Sequence, residues 1–148
     1  MCLGNICRSA MAEGVFKAKA QAEGLEVHTD SAGTSSWHIG QEPDPRAQEA
    51  TLRRGIDISD QRGHQMTRED FAAFDYIIAM DTSNLAKLRA LGANDHHHKL
   101  HMMLSFADGI DETEIPDPYY GGPDGFEDVL DMIEAASAGL IAHIQAKS

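Results

Sequence analysis

Residues 2–24 read CLGNICRSAMAEGVFKAKAQAEG, and this stretch decides how the chain is built. Its second half, residues 9–23, is rich in Ala, Lys and Glu and stops at Gly24, the pattern of a helix with a glycine C-cap. Its first half is a short polar turn holding Cys2, Gly4, Asn5, Cys7, Arg8 and Ser9. A glycine-containing turn that feeds a helix aims consecutive backbone N–H groups and the positive end of the helix dipole at one point, which makes an anion-binding concavity. Arg8 can offer two parallel N–H bonds to a phosphate. The same field favours a thiolate at Cys2, the nucleophilic form of cysteine, and the Ser9 hydroxyl can donate to it. Asn5 can brace the loop from within, and Gly4 permits a turn that a side chain would obstruct.

The chemistry implied is displacement at phosphorus through a phosphocysteine intermediate. Arg8 and the loop amides of Leu3, Gly4, Asn5, Ile6 and Cys7 carry the charge stabilisation, so no metal or other cofactor is called for. Cys-x5-Arg alone is a weak signal. A second piece strengthens it: DPYY, residues 117–120. Departure of a phenolate needs a proton, and Asp117, held out of a helix by Pro118, can supply it from a loop. Tyr119 and Tyr120 would wall a cleft for an aromatic ring.

Strands and helices alternate along the rest of the chain. Asp44-Pro45 is an N-cap followed by proline at the first helical position, and Gly55 closes that helix. Thr67 and Asp70 form a capping-box pattern. Thr82 or Ser83 is expected to cap a helix over residues 84–91 that stops at Gly92. Phe126, Val129, Leu130, Ile133, Ser137, Leu140, Ile141 and Ile144 recur at three- and four-residue steps, the stripe of a long amphipathic helix. Residues 26–30 (EVHTD) alternate as a strand does, and residues 76–80 (YIIAM) form the continuous apolar run of a strand covered on both faces. Residues 100–106 (LHMMLSF) suit a strand or a helical turn. His96, His97 and His98 read as a solvated loop. The predicted fold is a single α/β domain spanning residues 1–148, a parallel sheet with helices on both faces.

Composition bounds the functions. The 148 residues are 42% hydrophobic and 24% charged, with a formal net charge of -12. Such a surface repels nucleic acid and anionic membranes, and an anionic substrate needs a local positive site to approach it. Two cysteines, both in the opening loop, make no disulfide framework and suit a reducing, cytoplasmic setting. No apolar run approaches a membrane span, and no signal-peptide pattern is present.

Taken together, the two site pieces resemble the low-molecular-weight protein tyrosine phosphatases, over nearly the whole chain. CLGNICRS matches that family's phosphate loop. DSAGTSSWHIGQEPDPRA, residues 30–47, resembles the segment walling its active site. REDFAAFDYIIAMDTSN, residues 68–84, is similar to its third strand and flanks, and DPYYGG to its acid loop. The resemblance implies hydrolysis of protein phosphotyrosine, with Cys2 as nucleophile, Arg8 binding phosphate and transition state, and Asp117 as general acid and then base. It implies that Ser9 stabilises the thiolate, that Asn5 and Ser31 hold the loop, and that Trp37, Tyr119 and Tyr120 line the cleft. Cys7 matches a second loop cysteine able to form a protective disulfide with the nucleophile. Inorganic phosphate or another oxyanion is expected to occupy the same loop.

Three related activities are weighed against this. Arsenate reductases share the loop but need downstream cysteines, which this chain lacks. Protein arginine phosphatases tend to carry Thr at the place of Ile6, so Ile6 points to phosphotyrosine. A phosphate-binding module without turnover is the third. Gln61 and His64 stand where the family often has His and Arg.

One departure is larger. The family has an apolar strand directly before the cysteine, central in a sheet of order 2-1-3-4, and only Met1 stands in its place here. Residues 26–30 and 76–80 would each lose a neighbour, at about 1–3 kcal/mol per unpaired buried backbone group. Lost apolar side chains would cost about 2–5 kcal/mol each, against a total stability of about 5–15 kcal/mol. The expectation is either a chain that starts too late, with its first strand truncated, or a short form that folds poorly or with help; both imply weak stability and little activity until that strand is restored.

Overall fold

The apolar stripe at the C-terminal end organises the molecule. A computed structural model describes residues 2, 8–33, 39–92, 94–118 and 125–147. In it α5 runs Gly125–Lys147 and buries Phe126, Val129, Leu130, Ile133, Ala136, Ser137, Leu140 and Ile141. Against this face lies α1, Arg8–Ala22, through Met11, Val15 and Phe16. Helix α1 ends as its sequence predicts. Gly24 takes φ +69, a left-handed conformation natural only to glycine, and Leu25 N–H reaches back to the Ala20 carbonyl at 2.9 Å. Helix α2, Pro45–Leu52, completes this layer, capped by the Asp44 carboxylate, which accepts from Arg46 N–H at 2.8 Å. Arg54, just beyond α2, ties it to α5 through Glu127, Asp131 and Glu134.

The sheet lies behind these helices. Strand β1, Ile77–Ala79, pairs in parallel with β2, Leu100–Met102, in the register Ile77 to Leu100 and Ala79 to Met102. Alternation along β1 separates two cores. Ile77 and Ala79 face Phe71 and Leu88, whereas Ile78 faces the α1–α5 layer. Phe71 belongs to α3, Arg68–Ala73, and Leu88 to α4, Thr82–Leu91, which is the crossover between the strands. The result is an α/β domain with helices on both faces of a parallel sheet.

Several expectations need correction. Residues 26–30 form no strand and are largely exposed; among the described residues the isolated parallel bridges join Gly33 to Cys2 and to Gln65. The sheet has two strands among the described residues. A strand forms only where a neighbour supplies a hydrogen-bonding ladder, and the segment instead borders a cavity of about 390 Å³. Residues 100–106 divide into β2 and a 3-10 turn, Met103–Phe106. The histidine run is no loop. It lies in a 3-10 helix, Asn94–Lys99, with the His97 ring 3.2 Å from the Arg89 carbonyl. Helix α4 is capped by neither Thr82 nor Ser83 but by Asp81, one residue earlier, which accepts from Asn84 N–H at 2.7 Å.

Candidate active site

Cys2 is buried at the N-terminal end of α1, its Sγ 3.1 Å from the Ser9 hydroxyl. Its backbone is held by the Gly33 bridge, and Gly33 is itself fixed by N–H donation to the His64 carbonyl at 2.8 Å and acceptance from Met66 N–H at 2.9 Å. The thiol is free. Ser9 is in the first turn of α1, where unsatisfied N–H groups and the positive helix end favour negative charge.

Arg8 opens the same helix, and its side chain is only 3% exposed. Nη1 donates to Asp81 Oδ2 at 2.7 Å and to the Ile115 carbonyl at 2.8 Å. Nη2 lies 3.8 Å from Asp117 Oδ2, a Coulombic contact too long for a hydrogen bond. Asp117 is the more open partner, its side chain 35% exposed. The segment bearing it is stitched to the end of β1: Ile115 N–H donates to the Met80 carbonyl at 2.9 Å, and Thr82 N–H to Glu114 Oε2 at 2.7 Å. The sheet edge, the start of α1 and the cap of α4 thus converge on one guanidinium.

Ser31 is buried and donates its hydroxyl to Glu13 Oε1 of α1 at 2.7 Å. Glu13 is a buried carboxylate of α1 that also pairs with Lys17. Gln61 Nε2 donates to the Ala10 carbonyl at 3.1 Å, a brace on the first turns of α1. His64 lies 3.5 Å from Asp30 Oδ2, and that pair is an ion pair only when the imidazole is protonated.

The structure therefore brings together five predicted residues: Cys2, Arg8, Ser9 and Asp117 around one end of α1, and Ser31 on its flank. Leu3, Gly4, Asn5, Ile6, Cys7, Trp37, Tyr119 and Tyr120 lie outside the described residues. Two participants escaped the sequence reading. Asp81 carried a signal, a capping residue between an apolar strand and a helix, but the cap was placed one residue late. Glu13 carried none, since its partner Ser31 is remote in sequence. Among the described residues no group of three or more His, Cys, Asp or Glu is placed to hold a metal ion, and no helix is long and apolar enough to cross a membrane.

A cysteine sulfur beside a serine hydroxyl, with a buried arginine next to that serine and a carboxylate 3.8 Å from the arginine, can perform thiol-based transfer of an oxyanion group. Comparison with known proteins gives this class its family. The family model described as low molecular weight phosphotyrosine protein phosphatase matches residues 1–148, and the chain belongs to that family. It is 40% identical over 147 residues to the low molecular weight protein-tyrosine-phosphatase YfkJ of Bacillus subtilis, covering 98% of this chain and 93% of that one. A crystal structure of a protein tyrosine phosphatase from Entamoeba histolytica, with Hepes in its active site, superposes with TM-score 0.95 at 40% identity, covering 99% of this chain and 94% of the other. A crystal structure titled DARP, drosophila arginine phosphatase, superposes with TM-score 0.90 at 32% identity, covering 97% and 94%.

Proposed function

We propose that this chain, as a single domain over residues 1–148, hydrolyses phosphotyrosine in proteins of a reducing, cytoplasmic compartment through a phosphocysteine intermediate. One observation carries the reading. Cys2 Sγ lies 3.1 Å from the Ser9 hydroxyl at the start of the helix whose first residue, Arg8, faces Asp117 at 3.8 Å. The thiolate of Cys2 attacks phosphorus in line with the departing phenolate oxygen. The S–P bond forms as the P–O bond breaks, and the Asp117 carboxyl gives its proton to that oxygen. Arg8 and the amides of Leu3, Gly4, Asn5, Ile6 and Cys7 hold the equatorial phosphoryl oxygens, where charge is stabilised. In the second step Asp117 takes a proton from water as the water oxygen attacks phosphorus, and inorganic phosphate leaves with the thiolate restored. Ser9 donates to the sulfur in both steps, Ser31 and Asn5 support the loop, and Trp37, Tyr119 and Tyr120 wall the cleft around the substrate ring.

Rapid quenching of turnover followed by mass spectrometry tests the intermediate: a phosphoryl group on Cys2 is expected, and hydrolysis that persists in Cys2→Ser refutes it. Asp117→Asn should slow phosphotyrosine more than an aryl phosphate whose leaving group needs no proton. The likeness to the Drosophila arginine phosphatase structure favours a second reading, phosphoarginine as substrate. The ratio of kcat/KM for phosphoarginine and phosphotyrosine peptides decides between the two. Phosphopeptide binding without a single turnover would instead make the chain a binding module.

A further inference from the structure

Asp117 is held from two sides. On its N-terminal side, residues 114 and 115 bind the end of β1 and the start of α4. On its C-terminal side lies the first residue of α5: a Cβ added at Gly125 would stand 3.7 Å from Pro118 Cβ, so the neighbour of Asp117 packs on the helix start. The next two residues of α5 are gripped by arginines of α2 and its C-terminal end. The Arg46 guanidinium lies over the Phe126 ring, 5.0 Å from its centre. Arg53 Nη1 reaches Glu127 Oε1 at 3.1 Å, and Arg54 Nη2 reaches Glu127 Oε2 at 3.0 Å. Phe126 is buried, so its ring is a fixed platform. Arg46 is fixed in turn: Nε donates to Asp44 Oδ1 at 3.1 Å and Nη2 to Asp44 Oδ2 at 3.0 Å, a two-pronged pairing that sets the plane of a guanidinium. Asp44 needs only Oδ1 to cap α2, so its second oxygen serves the Arg46 side chain and not the helix.

We propose that Arg46 is a positioning residue for Asp117: oriented by Asp44 and stacked on Phe126, it fixes the first turn of α5, and through Gly125 and Pro118 it sets where the Asp117 carboxyl stands relative to Arg8. The inference rests on the reading of Asp117 as proton donor. A donor works only within hydrogen-bond reach of the departing oxygen, so a small displacement of Asp117 costs rate in proportion to how much the leaving group needs its proton. Attack by Cys2 and phosphate binding by Arg8 do not pass through this contact. The mark of the role is therefore a loss that depends on the leaving group.

The test measures kcat/KM of the full chain on a phosphotyrosine peptide and on dinitrophenyl phosphate, whose phenolate departs without a proton. Arg46→Ala is expected to lower the first about tenfold and the second less than about twofold. Arg46→Lys keeps the charge but loses the planar stack and the two-pronged pairing, and should show the same selective loss; it carries the test should Arg46→Ala not fold. In an Asp117→Asn background Arg46→Ala should change the phosphotyrosine rate less than about twofold, because both substitutions act through one carboxyl. Equal losses on the two substrates, or a further tenfold loss on phosphotyrosine in the Asp117→Asn background, would overturn the proposal. Where Asp117→Asn is selective and the Arg46 variants are not, the proposal alone falls. Where Asp117→Asn is itself unselective, the proton-donor reading falls and takes the proposal with it.

Discussion

Asp81 offers the sharpest test of how Arg8 is held. Its two carboxylate oxygens have separate duties: Oδ2 accepts from Arg8 at 2.7 Å, and Oδ1 caps α4 by accepting from Asn84 N–H at 2.7 Å. Asn and Asp cap helices about equally well, so Asp81→Asn keeps the cap and removes the charge. Breaking a buried ion pair by losing one partner costs about 3–5 kcal/mol when nothing compensates. Here the Ile115 carbonyl still accepts from Arg8, Asp117 stays at 3.8 Å, and Asp81 is one-fifth exposed. The expected loss for Asp81→Asn is therefore about 2 kcal/mol. Asp81→Ala loses the cap as well and should fall about 1 kcal/mol further. Urea unfolding measures both as midpoint shifts at unchanged m. With Arg8 less firmly oriented, kcat/KM for an aryl phosphate should drop about tenfold in the Asn variant, equivalent to about 1.4 kcal/mol. Equal stabilities of the Asn and Ala variants would show that the cap contributes nothing. An Asn variant within about 0.5 kcal/mol of wild type would show that the ion pair does not anchor Arg8.

Three further outcomes follow from the same geometry. Gly139→Ala should destabilise the chain by about 1–3 kcal/mol although alanine is the better helix former, because the new Cβ would clash with the Phe106 carbonyl oxygen and push α5 off that turn; a raised urea midpoint would refute this. Ser9→Ala should lower kcat about tenfold or more with little change in KM, since the hydroxyl touches the sulfur of the proposed nucleophile; an unchanged kcat removes Ser9 from the chemistry. His101 is held below its ordinary value of 6.5 by burial, and by the nearby charges of His143 and Lys147. The unfolded chain thus takes the proton first, so stability present above pH 6.5 is lost as pH falls below it, and His101→Gln should flatten the urea midpoint between pH 7.5 and 5.5; parallel curves for the two proteins would refute this.

Sequence reading succeeded where the determinant is local. The three- and four-residue steps of α5, the Asp44-Pro45 start of α2 and the Gly24 stop of α1 each need only a few neighbouring residues, and each holds in the structure. It succeeded again with the capping box of α3, where Asp70 accepts from Thr67 N–H at 2.9 Å. It failed where the determinant is remote. Alternation in EVHTD reports a preference for extended backbone, but whether a strand forms depends on a neighbouring strand, which local alternation does not encode. The bond from Ser31 to Glu13 and the grip of Asp81 on Arg8 join residues far apart in sequence, and no short motif encodes them. Three adjacent histidines lie in a 3-10 helix, with one ring against a backbone carbonyl of α4, a contact that composition cannot foresee.

The stitching of residues 114–117 to the end of β1 bears on how the machine moves. Ile115 reaches Met80 with its N–H and Arg8 with its carbonyl, while Glu114 takes the N–H of Thr82. On the proposed function, proton donor and phosphate clamp are therefore mounted on one hydrogen-bonded frame. Such a frame trades the selectivity of a closing step for readiness, and turnover on small aryl phosphates should be insensitive to solvent viscosity.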